Sequence, residues 1–100
     1  MEYNMKYNLP ERVVQDIAAV AKKNDIERVI LFGSRARGDN RERSDIDLAV
    51  SGGNVTEFTF DIEEDVWTLL TFDVVNLDGL VQKELLAEIA KDGTVLYEKA

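Results

Sequence analysis

The sequence predicts an α+β domain, a mixed β-sheet covered by helices. Three observations carry this. Stretches with strand and helix periodicity alternate along the chain. The connections between them are too short and irregular for a doubly wound parallel sheet. The length of 100 residues fits one domain spanning 1–100, with no repeat, low-complexity tract or linker to divide it. A chain of this size can bury roughly two-thirds of its unfolded surface, enough for a real core.

The elements follow in order. Residues 9–24 predict an amphipathic helix, with Val13, Ile17 and Ala21 as its apolar stripe. Asn8 is expected to cap it, with Pro10 in the first turn and Glu11 completing a capping-box-like spacing. Arg28 to Phe32 predicts a short buried strand that stops at Gly33-Ser34. Arg35 to Arg43 is polar and reads as a loop or a short helical turn, with Gly38 allowing the next turn. Asp45 to Val50 predicts a second strand, with Ile46, Leu48 and Val50 on one face and Asp45, Asp47 and Ala49 on the other. After Ser51-Gly52-Gly53, Asn54 and Glu57 signal a helix start. Phe58, Ile62 and Val66 then fall at helical spacing, although Phe58, Phe60 and Ile62 also alternate as in a strand. Leu69 to Leu77 predicts a third strand. Leu80 to Lys91 predicts a helix with Leu85, Leu86 and Ile89 inward, ended by Gly93 before a short strand from Thr94 to Tyr97.

Composition removes several chemistries. Cysteine and histidine are both absent, which excludes disulfides, thiolate metal sites and histidine-based triads. Carboxylates, hydroxyls, Lys, Arg, Tyr and backbone groups remain. No apolar run is long enough to span a membrane. Residues 1–8 lack the basic-then-apolar order of a signal peptide, so the cytoplasm is the expected location. The net charge of −8 argues against general nucleic-acid binding. That charge is unevenly spread. Lys22 to Arg43 holds seven basic and four acidic residues, whereas Ser44 to Gln82 holds nine acidic residues and no Lys or Arg. A metal–triphosphate needs both signs, although two solvated surface patches would give the same count.

Asp45 and Asp47 are the first candidate site residues. At i and i+2 on a strand they point to one side, about 6.6 Å apart along the chain. Two carboxylates converging to about 4 Å repel by roughly 4 kcal/mol at an effective dielectric of 20, unless a cation sits between them. Mg²⁺ accepts one or two carboxylates plus phosphate oxygens. Asp73 lies in the apolar run Leu69-Leu70-Thr71-Phe72-Asp73-Val74-Val75, where an ionised group needs a partner. Three carboxylates from two strands could hold the paired metals, about 3.5–4 Å apart, of phosphoryl-type transfer. Gly33 allows close approach of backbone N–H groups to phosphate, and the Ser34 hydroxyl can donate. Arg35, Arg37, Arg41 and Arg43 could neutralise a triphosphate. Each signal alone also fits a solvated strand edge, a plain turn or a solvated loop. Their order along the chain is what distinguishes them.

The stretch Phe32-Gly33-Ser34-Arg35-Ala36-Arg37-Gly38 through Ser44-Asp45-Ile46-Asp47-Leu48-Ala49-Val50 resembles the signature of the minimal nucleotidyltransferases, within the DNA polymerase β superfamily. Phe72-Asp73-Val74-Val75 resembles the family's third-carboxylate strand, and Val81 to Tyr97 resembles its ending. The resemblance covers about Ile26 to Tyr97. It implies a polymerase-β-type nucleotidyltransferase fold. It also implies two Mg²⁺ ions held by Asp45, Asp47 and Asp73, and ATP as nucleotide donor. The triphosphate would be bound by Gly33 and Ser34, with Arg35 and Arg37 as the arginine candidates. The reaction implied is attack by a hydroxyl on the α-phosphorus.

Larger relatives carry a second domain for base and acceptor, and here the sequence ends at Ala100. A partner is therefore expected to complete the site. The resemblance suggests a HEPN-type helical toxin, adenylylated on a tyrosine or neutralised by contact alone, in a hetero- or homo-oligomer. A small-molecule adenylyltransferase is the further alternative. The acidic stretch Glu57 to Asp65 fits either a basic partner or a solvated helix.

Overall fold

A computed structural model describes residues 8–100. Residues 1–7, including most of the stretch read for a signal peptide, lie outside the described residues. Four helices and four strands follow in the order α1 (Glu11–Lys23), β1 (Arg28–Phe32), α2 (Ser34–Arg37), β2 (Ile46–Ser51), α3 (Val55–Asp65), β3 (Phe72–Asn76), α4 (Lys83–Asp92) and β4 (Thr94–Glu98). The strands form one sheet in the order β3-β2-β1-β4. β1 pairs antiparallel with β2 and β4, and β2 pairs parallel with β3, so the sheet is mixed as expected. No helix among the described residues is long and apolar enough to cross a membrane.

Alternation along the strands sorts the sheet into two unequal faces. Val29, Leu31, Ile46, Leu48 and Val50 turn to one side and join Val13, Ile17, Ala21, Phe58 and Ile62 in the main core, beneath α1 and α3. On the opposite side Phe32, Ala49 and Ile89 form a small second cluster under α4. That thinly covered face carries Asp47, one position before Leu48 on β2. The helical reading of Phe58 to Val66 is correct: Phe58, Ile62 and Val66 are buried, while Phe60 is 67% exposed. Asn54 caps α3, its side chain accepting a hydrogen bond from the Glu57 backbone N–H.

Three expectations need correction. Asn8 does not cap α1. Pro10 occupies the cap position without a side-chain bond, and Asn8 instead donates its side-chain amide to Asn40 and its backbone N–H to the Arg35 carbonyl. Leu86 does not point inward but is 45% exposed, because α4 rests on the sheet along one narrow line through Leu85 and Ile89. The third strand is shorter than Leu69–Leu77: it begins at Phe72, after an irregular segment in which Leu69 is 97% exposed.

Phe58 is the largest fully buried side chain among the described residues. Phe58→Ala is expected to lower unfolding stability by about 3–5 kcal/mol, a large share of the roughly 5–15 kcal/mol typical of a domain. Urea unfolding followed by circular dichroism measures it.

Candidate active site

The site lies where β1 ends and where β2 and β3 begin. Antiparallel pairing sets Phe32 opposite Asp47, and parallel pairing sets Asp47 opposite Asp73. Partners in register on adjacent strands point to the same face. Asp47 and Asp73 therefore share the thinly covered face, and Asp45 precedes β2 at the same end. Asp45 accepts a hydrogen bond from the Thr71 hydroxyl. Thr71 lies two residues before Asp73, and its carbonyl accepts from the Ile46 backbone N–H at 2.9 Å. Thr71 thus ties the first acid to the approach of β3.

Gly33 sets how closely the first strand's turn approaches Asp47. Its φ is +76°, and a Cβ placed there would lie 2.4 Å from Asp47 Oδ2. The left-handed conformation favours glycine, and a Cβ there would push the Asp47 carboxylate aside. The chain then turns into α2. Gly38, at φ +84°, ends that turn and donates its N–H to the Ser34 carbonyl at 2.8 Å.

The proximity of the acids shows in the titration of Asp47. Burial raises the Asp47 pKa to about 6, and the Asp73, Asp45 and Glu88 carboxylates push it the same way, with Arg37 opposing them. Glu88 was not anticipated. It lies on α4 one residue before Ile89 and at i, i+4 from Asp92, a pattern that places both acids on one helix face. Thr71 was also missed. Its spacing of two from Asp73 on an extended run was the available signal.

The two predicted phosphate arginines separate. Arg35 is 3% exposed, and it donates to the backbone carbonyls of Ser44 (3.0 Å), Asn8 (2.9 Å) and Glu42 (3.0 Å). It knits the loop before β2 to the start of α1, and this inward aim corrects the expectation that it meets phosphate. A guanidinium fork suits several carbonyls at once, which a loop lacking regular pairing supplies. Arg37 stands at the surface near the acids and pairs with Asp39, Glu88 and Asp92. Arg41 and Arg43 are exposed on the loop.

The donor set is anionic oxygen throughout, which fits Mg²⁺. Among the described residues no group of three or more carboxylates lies close enough together to hold a metal ion by itself. Mg²⁺ is usually held by one or two carboxylates with water and substrate phosphate supplying the rest, so an open set of acids suits it.

A mixed sheet with acids on two adjacent parallel strands and a glycine turn beside them fits a nucleotide-transferring enzyme. The chain belongs to the polymerase beta nucleotidyltransferase family, whose model matches residues 15–100. It is 31% identical over 100 residues to a Methanocaldococcus jannaschii protein named for an inferred protein adenylyltransferase activity, covering 87% of this chain and 97% of that one. Among solved structures it is similar to a toxin–antitoxin crystallised with AMP-PNP, with a TM-score of 0.68, 22% identity and coverage of 86% of this chain and 73% of that one. It is also similar to a structure described as a minimal nucleotidyltransferase, with a TM-score of 0.62, 25% identity and coverage of 81% and 86%.

Two predictions follow from the geometry. Gly33→Ala should fold less stably and lose transferase activity by roughly 100-fold, because Asp47 must move away from the turn; labelled-nucleotide transfer beside a thermal melt reads both. For Asp47 the folded pKa of about 6 lies above the ordinary 3.8. Its contribution to stability is therefore complete below about pH 4 and is lost as pH rises through 6. Asp47→Asn should be more stable than the parent at pH 7 in the absence of metal, by on the order of 1 kcal/mol after allowance for partial exposure. The difference should vanish at pH 4, as measured by thermal melts in EDTA.

Proposed function

We propose that this chain transfers AMP from ATP to a hydroxyl, the acceptor being a tyrosine of a HEPN-type helical partner, and that it acts as the cytoplasmic antitoxin of a toxin–antitoxin pair. The observation that carries the reading is the register pairing of Asp47 with Asp73, on the face and at the end of the sheet where Asp45 and the Gly33 turn also lie.

Asp45, Asp47 and Asp73 would hold two Mg²⁺, which neutralise charge on the triphosphate and polarise its oxygens. Gly33 backbone groups, the Ser34 hydroxyl and Arg37 bind the phosphates. The acceptor oxygen bonds to the α-phosphorus as the bond to the β-phosphate oxygen breaks, and pyrophosphate leaves. Asp73 accepts the acceptor's proton. Attack and departure lie in line on opposite sides of the phosphorus. The sheet order fits this, because the Gly33 turn lies on the β1 side of β2 and Asp73 lies on the β3 side. Acceptor approach is therefore by β3.

Before β3, Trp67 (81% exposed) and Leu69 (97% exposed) border a groove of about 720 Å³, lined by the apolar Pro10, Val13 and Leu70 and the charged Arg12, Arg35 and Glu42. An adjoining cleft reaches Thr71, the hydrogen-bond partner of Asp45. Exposed large apolar groups beside a site favour a protein acceptor over a small molecule. The activity for which the M. jannaschii relative is named and the toxin–antitoxin solved with AMP-PNP support the donor and the setting. The acidic helix α3 supports a different role, since Asp61 and Asp65 pair with Lys23 of α1.

The test is incubation with Mg²⁺, labelled ATP and the protein encoded by the neighbouring gene. Label should appear on that protein and fall by roughly 100-fold or more with Asp45→Asn plus Asp47→Asn. Labelling that survives the double substitution rejects the assigned site. Growth rescue by the same double variant would favour neutralisation by contact alone.

A further inference from the structure

Arg37 closes α2 and faces three carboxylates from two other parts of the chain. Its Nε donates to Asp39 Oδ2 at 3.1 Å and its Nη1 to Asp92 Oδ2 at 3.1 Å, with Glu88 Oε1 3.7 Å from Nη1. Its Nη2 donates to no group among the described residues. The acids differ in burial. The side chains of Asp39 and Glu88 are 62% and 46% exposed, whereas that of Asp92 is 14% exposed. Exposed ion pairs contribute little, so Asp92 is the anchor of this group.

The position of Asp92 has no explanation in its own helix. It is the last residue of α4, where the helix presents its unpaired carbonyls. A carboxylate there opposes the helix dipole, at a cost of about 0.3–1 kcal/mol. Gly93 follows directly and holds the helix end against β1, since a Cβ there would lie 2.7 Å from Ile30 Cγ2. The close packing at Gly93 holds the backbone at the helix end, and the Asp92 carboxylate meets Arg37 on a separate element. Arg37 and Glu88 both lie within electrostatic reach of Asp47. Because the guanidinium is planar, fixing Nε and Nη1 also fixes the direction of Nη2.

We propose that the end of α4 is the positioning element for nucleotide binding: Asp92 fixes the Arg37 guanidinium beside Asp47, so that its unused Nη2 edge meets an oxygen of the bound triphosphate. The proposal rests on the nucleotidyltransferase reading given above, and it makes Asp92 a positioning residue and not a group that touches substrate.

Charge and position predict opposite results here. Removing a carboxylate near an anionic ligand should tighten binding by simple electrostatics. If Asp92 positions Arg37, Asp92→Asn should weaken it. Calorimetric titration of MgATP into the parent and four variants decides. The expected results are about five- to tenfold weaker binding for Asp92→Asn, and unchanged or tighter binding for Glu88→Gln. Arg37→Lys keeps the charge but loses the planar fork, and should weaken binding by a similar factor. Adding Asp92→Asn to Arg37→Lys should cost little more. Parental or tighter affinity in Asp92→Asn overturns the proposal. If circular dichroism shows that variant unfolded, Arg37→Lys decides, and unchanged affinity there overturns it equally. A parent chain that binds no MgATP removes the nucleotidyltransferase reading itself, and this proposal with it.

Discussion

The contact between the Gly33 backbone and the Asp47 carboxylate is the constraint from which the site is built. One end of β1 has to turn away from the sheet with φ at +76° while an acid on β2 fills the space a side chain would take. This leaves the carboxylate room beside the turn. The parallel partner β3 then sets Asp73 beside it in register. Asp47 would not occupy this face for stability alone, because a carboxylate partly removed from water beside other carboxylates is disfavoured. The rise in the Asp47 pKa records that conflict. The main core on the opposite face, with Ile46, Leu48 and Val50 fully buried, holds β2 in place against it.

The two sides of the sheet divide the work. α1 and α3 cover one side with the main core, and stability resides there. The other side carries α4 along a single line of contacts and leaves the acids reachable. Chemistry needs that opening, since a triphosphate has to approach carboxylates that a second full layer would bury.

Much of this was legible in the sequence. Period-2 alternation in Asp45 to Val50 separated acids from core residues before any coordinates. Helical spacing at Phe58, Ile62 and Val66 outweighed the competing alternation through Phe60. Asn54 and Glu57 marked a helix start that the structure keeps. What was not legible depended on contacts distant in sequence. Asn8 looks like a cap from its neighbours alone, yet its side chain meets Asn40, 32 positions away. Arg35 and Arg37 are indistinguishable as two arginines on a polar turn, and only folding shows that one faces inward to the carbonyls of Asn8, Glu42 and Ser44 while the other faces the acids. Leu86 fits the apolar periodicity of its helix, but α4 has too narrow a contact line to bury it. Thr71 and Glu88 carry no motif, and their roles come from strand register and helix phase.

β4 pairs with β1 from Arg28 to Leu31, and Thr94 joins it directly after Gly93. An outermost strand is easily regarded as dispensable trim. Here it moors the helix that precedes it, adding a backbone tether to the contacts that Ile89, Asp92 and Gly93 make near the mouth of the site. Alterations to the final strand, far from the three aspartates in sequence, would thus reach nucleotide handling through the chain's own tether.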